Sequence, residues 1–75
     1  MSARPVKRAL TLKGHRTSVS LEDAFWREIR DIAARRGLAI NALAAEIDAA
    51  RDLETGLASA IRLYVLDDLK GQLRG

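Results

Sequence analysis

One strand-like stretch followed only by helical periodicity is the feature that most restricts this chain. His15-Arg16-Thr17-Ser18-Val19-Ser20-Leu21 alternates, with Thr17, Val19 and Leu21 on one face and Arg16, Ser18 and Ser20 on the other. A lone strand leaves its backbone donors and acceptors unpaired, so it needs a second strand. Leu10 and Leu12 alternate with Thr11 and Lys13 just upstream, but in the opposite phase, and Gly14 stands between the two runs. Gly14 reads either as a bulge that changes the phase or as the end of a segment outside the strand. The same strand of a second copy is then the simplest partner. It would give a two-stranded antiparallel ribbon about a two-fold axis.

After Leu21 the apolar spacing becomes helical. Ser20-Leu21-Glu22-Asp23 fits a helix start, with Ser20 capping and Asp23 reaching back. Phe25, Ile29, Ile32 and Ala33 share one face, with Trp26 on its flank. Arg35-Arg36-Gly37-Leu38 fits a stop in which Gly37 turns left-handed and Leu38 folds back. These signals predict a first helix at about residues 22–36. Ile40, Leu43, Ala44 and Ile47 predict a second over about 40–50. Beyond the break at residues 51–56, a third is expected at about 57–70. Its apolar positions Leu57, Ala60, Ile61, Leu63, Tyr64, Val65, Leu66 and Leu69 cover more than one face. A helix apolar over that width packs on two sides, and here the second side is expected to be another chain.

Size leads the same way. The chain has 75 residues, no cysteine and one histidine, so neither a disulfide nor a Cys/His metal cluster staples it. Yet 48% of its residues are hydrophobic, too many for a disordered chain. Two copies sharing a core resolve the conflict. The expected fold is mainly α with one short N-terminal strand. Residues 1–9 form a flexible basic arm and residues 10–75 a single domain.

The net charge of +3 is unevenly spread. Residues 1–16 hold Arg4, Lys7, Arg8, Lys13 and Arg16 and no acid, while the remainder holds 8 basic and 10 acidic residues. A polyanion partner at the N-terminal end follows, unless those cations are only a solvated tail. The start lacks the apolar run of a signal peptide, and no stretch is long enough to span a membrane, so a cytoplasmic protein is expected. Catalysis has no support. There is no Gly-rich phosphate loop, and the adjacent pairs Glu22-Asp23 and Asp67-Asp68 point apart on a helix. No cofactor, metal or small-molecule ligand is indicated.

The residues 15–21, a helix ending in Arg36-Gly37-Leu38 and an immediate second helix resemble the ribbon–helix–helix family of the Arc/MetJ type. The stretch from Leu10 to Glu22 is similar to a bacterial subgroup of short proteins carrying little beyond that domain. The resemblance implies an intertwined homodimer that inserts its ribbon into the major groove of DNA, as a transcriptional repressor of that family does. It implies base contacts from Arg16, Ser18 and Ser20, since Arg pairs with both guanine acceptors and Ser donates or accepts. Thr17, Val19 and Leu21 would face the dimer core, joined by Phe25, Ile29, Leu43, Ile47, Ile61 and Val65. Phosphates would meet Arg4, Lys7, Arg8, Lys13 and His15, and the start of the second helix at Ala39, Ile40 and Asn41. Family members often carry a capping Ser at that helix start, and Ala39 departs from this. Residues 57–70 are the other candidate for the family's second helix, with residues 38–50 then an insertion. The rival function is a dimeric interaction or antitoxin-like module whose third helix binds a partner protein.

Overall fold

The computed structural model describes residues 4–74. Strand β1 (Val6–Leu12) and strand β2 (His15–Leu21) are followed by helices α1 (Asp23–Arg35), α2 (Ile40–Ala50) and α3 (Leu57–Arg74). The strands pair antiparallel with each other, from Val6↔Leu21 to Leu12↔His15. This corrects the expectation of a single strand. β2 finds its partner within its own chain, and a flexible arm over residues 1–9 is excluded for Val6–Ala9, which form four of the seven residues of β1. Residues 1–3 of that arm lie outside the described residues.

Gly14 is therefore a turn residue and not a bulge. Lys13 has φ 52° and Gly14 φ 83°, the two positive values that a two-residue type I′ hairpin turn requires. Such a loop pairs even-numbered residues of β1 with odd-numbered residues of β2. The opposed phases of the two alternations are thus what a tight hairpin demands. Leu10, Leu12, Val19 and Leu21 share the inner face, and Leu10, Val19 and Leu21 are buried. Thr17 shares that face but is exposed.

The helices close beneath the hairpin. α1 ends as its sequence predicts. Gly37 N–H donates to Ala34 O at 3.1 Å and Leu38 N–H to Ala33 O at 2.8 Å, with Gly37 at φ 69°. Its start differs from expectation. Ser20 remains in β2, and Glu22 takes the cap position without a side-chain cap bond. Ile29, Ile32, Ala33, Leu43, Ala44, Ile47, Ala60, Ile61 and Val65 complete one core with the three strand residues. Of the residues expected in a shared dimer core, Val19, Leu21, Ile29, Leu43, Ile47, Ile61 and Val65 are buried within one chain, and Phe25 is half-buried. A second copy is not needed to cover them. α3 packs through one face only, leaving Leu63, Leu66, Leu69 and Leu73 exposed on the rest.

Two arginines clamp the start of α1. Arg8 reaches from β1 to Asp23 and lies over the Trp26 ring, 5.5 Å from its centroid. Arg62 reaches from α3 to Glu22, with Nη2 at 2.8 Å from Oε1, and lies over Phe25 at 5.7 Å. At the other end of α1, Arg36 donates to both Glu46 oxygens and to the Tyr64 hydroxyl, joining α1 to α2 and α3. Arg35 donates to Asp68 at 2.9 Å. These partners hold three carboxyls below their ordinary range. For Glu22 the backbone N–H leads and Arg62 follows, for Glu46 the cause is Arg36, and for Asp68 it is Arg35.

Two outcomes follow. Lys13 occupies a left-handed conformation that costs an ordinary side chain roughly 1–2 kcal/mol, and Asn tolerates it better. Lys13→Asn should therefore stabilise the fold by about 0.5–1 kcal/mol in urea titration, and a loss of stability would contradict the turn. A carboxyl whose folded pKa is depressed contributes stability above its unfolded value, near 4.5 for Glu, and loses it as pH falls through the folded value. The melting temperature should be level near neutrality and decline below about pH 4.5, less so in Glu22→Gln. A midpoint that rises on acidification would contradict these pairs.

Candidate nucleic-acid interface

A tight hairpin with one face on the core must turn its other face to solvent. Here that outer face carries Arg16, Ser18 and Ser20 from β2 and Lys7, Ala9 and Thr11 from β1, all exposed. The register sets Thr11 opposite Arg16, Ala9 opposite Ser18 and Lys7 opposite Ser20. No acidic residue occurs before Glu22, so the face is uniformly neutral or cationic. Arg16 and Lys7 form no ion pair among the described residues.

Arg16, Ser18 and Ser20 thus stand together as the alternation of β2 foretells. Lys13 is exposed on the turn at one end of the face, and Arg4 is exposed just before β1 at the other. Arg8 does not join them. It falls on the inner face, its side chain 17% exposed and engaged with Asp23 and Trp26. The reason is parity, because an even position of β1 shares a face with Val19 and Leu21. His15 also has inner-face parity. It lines a hollow with Leu12, Lys13, Thr17, Ser18, Ala45, Asp48, Arg51 and Leu57, between the hairpin and α2.

Ala39, Ile40 and Asn41 begin α2 beside β1. Asn41 Oδ1 accepts a hydrogen bond from the Thr11 backbone N–H at 3.1 Å. That bond also reports the ladder. Thr11 points its backbone outward from the hairpin, and in an antiparallel pair its opposite number Arg16 does the same, as do Ser18 and Ser20. The edge of β1 is met by α2, while Arg62 Nη2 lies 3.4 Å from Ser20 O on the edge of β2.

Sequence reasoning missed Lys7, Ala9 and Thr11 as part of this face. The signal was present in the Lys13-Gly14 pair and in the phase change across it. A two-residue loop with glycine second is a hairpin mark.

The comparisons with known proteins agree with this geometry. A family model described as the ribbon-helix-helix domain matches residues 5–69, which span both strands, α1, α2 and most of α3. No curated protein and no solved structure matches the chain. The match covers most of the sequence, and the chain belongs to the ribbon–helix–helix domain family.

Proposed function

We propose that this protein is a sequence-specific DNA-binding regulator of transcription that acts in the cytoplasm as a homodimer. The observation that carries the reading is the acid-free outer face, on which Arg16, Ser18 and Ser20 are exposed side by side. Family membership adds DNA binding, and not catalysis, as the typical activity. The major groove admits a two-stranded ribbon and presents paired acceptors on guanine. Arg16 donates to those acceptors, while Ser18 and Ser20 bond to neighbouring base edges. Lys13, Arg4 and the backbone amides at the start of α2 hold phosphates.

The dimer forms through the edges of β2. Strand edges left open invite another strand. Pairing β2 with its copy about Ser18 sets Thr17 beside Val19 of the second chain, covering the one inner-face residue of β2's middle that its own chain leaves exposed. Leu66 and Leu69 follow Arg62 on the side of α3 nearest that edge. The leucines on α3 also favour a second reading, in which this helix binds a partner protein. A mobility shift with random duplex at low salt separates the two, because only the DNA-binding reading predicts a complex.

Sedimentation at micromolar concentration should give about twice the 8.2 kDa chain mass, with a melting temperature that rises with protein concentration. A chain that stays monomeric up to on the order of 100 µM would contradict the β2 pairing. Arg16→Ala should weaken binding to a site selected from random DNA by about 1–3 kcal/mol for each guanine contacted, and bind random duplex nearly as the parent does. Equal losses on both duplexes would make Arg16 a phosphate contact only.

A further inference from the structure

Each chain brings two strands to the interface, and this sets a problem of width. Joined through β2, two copies make a four-stranded sheet ordered β1, β2, β2, β1. Neighbouring strands lie about 4.8 Å apart, so the axes of its outer strands are about 14 Å apart. The major groove is about 12 Å wide and takes a two-stranded ribbon. Only the central pair of β2 strands fits over the base edges.

We infer that β1 is a lateral phosphate-gripping strand, in which Lys7 and Thr11 hold the sugar–phosphate rims while β2 reads the groove floor. The inference rests on the proposed dimer and on DNA as its ligand. Four observations carry it. Lys7 and Thr11 lie on the outer face of β1, in register with Ser20 and Arg16. Both are exposed, and Lys7 has no ion-pair partner among the described residues. Ala9 lies between them and opposite Ser18, so no long side chain keeps the middle of β1 from the rim. The far edge of β1 is closed by α2 through the Asn41–Thr11 bond, which leaves the outer face as β1's open surface. A lysine over a rim contacts phosphate as a point charge, and a threonine hydroxyl donates to a phosphate oxygen.

The test uses the full chain, a duplex selected by the parent from a random pool, and a random duplex, each titrated across a salt series. Lys7→Ala removes one contact per chain and two per dimer. The slope of log K against log salt should become shallower by about 1.8 on both duplexes. Thr11→Val keeps the strand-forming branch and loses the hydroxyl. It should weaken both duplexes several-fold by the same factor, with no change of slope. Sequences reselected by either variant should match the parent's. Unchanged melting temperatures confirm that these exposed substitutions leave the fold intact. An unchanged slope in Lys7→Ala overturns the inference. So does a shifted base preference in Thr11→Val, which would place β1 on the bases and make the single-chain hairpin the inserted ribbon. A parent that binds no duplex overturns the DNA-binding reading itself, which keeps the two failures apart.

Discussion

Lys13 and Gly14 both hold positive φ, and the two-residue turn they form determines the facing of every residue from Val6 to Leu21. A shift of one residue in the pairing would carry Leu10 and Leu12 to solvent and Thr11 and Lys7 to the core. The hydrophobic residues hold the register from the other side. Leu10 is buried against the helices and Leu12 partly so, and the slipped hairpin would lose both from the core, at about 1.5–3 kcal/mol for full burial of Leu10 alone. Turn and core specify the same alignment, and the outer face is its consequence. Arg16, Ser18 and Ser20 are exposed because Val19 and Leu21 are not.

A reading face is useful only if it is held still. Two stranded hairpins alone are marginal in water. This one is tied down by Arg8, which spans from β1 to Asp23 and covers Trp26, and by Asn41, which takes the outward N–H of Thr11. Arg62 does the same for α3 against Glu22 and Phe25. Such partly exposed pairs contribute little stability each. Their effect lies in direction, since each joins the hairpin or the start of α1 to a different helix. Arg8 is a cation withdrawn from the outer face to serve this purpose, and the charge on that face is correspondingly smaller than the N-terminal count suggests.

Much of this was legible in the chain. The alternation of residues 15–21 marks β2 and its two faces, and the Schellman ending at Gly37-Leu38 fixes where α1 stops, because both depend on local geometry alone. The partner of β2 was not legible from residue spacing. Gly14 fits a bulge, a break or a turn equally well until the phase of Leu10 and Leu12 is referred to that of Val19 and Leu21. Misplacing that partner had two effects. Spacing alone puts Arg8 among the phosphate contacts although its parity points it inward, Lys7 and Ala9 in a loose arm, and Thr11 in a short alternating run with no partner. The local sequence marks Ser20 as the cap of α1, but the hairpin register keeps it in β2. Tertiary pairing here outranks a local capping signal.

The central claim is that the outer face of the hairpin enters the major groove. Dimethyl sulfate distinguishes the grooves chemically, because guanine N7 lies in the major groove and adenine N3 in the minor. Footprinting of the parent on its selected duplex should show protected guanine N7 atoms at two related positions, one per chain, with adenine N3 reactivity unchanged, and the protection should vanish in Arg16→Ala. Protection confined to adenine N3 would place the protein in the minor groove and contradict the account.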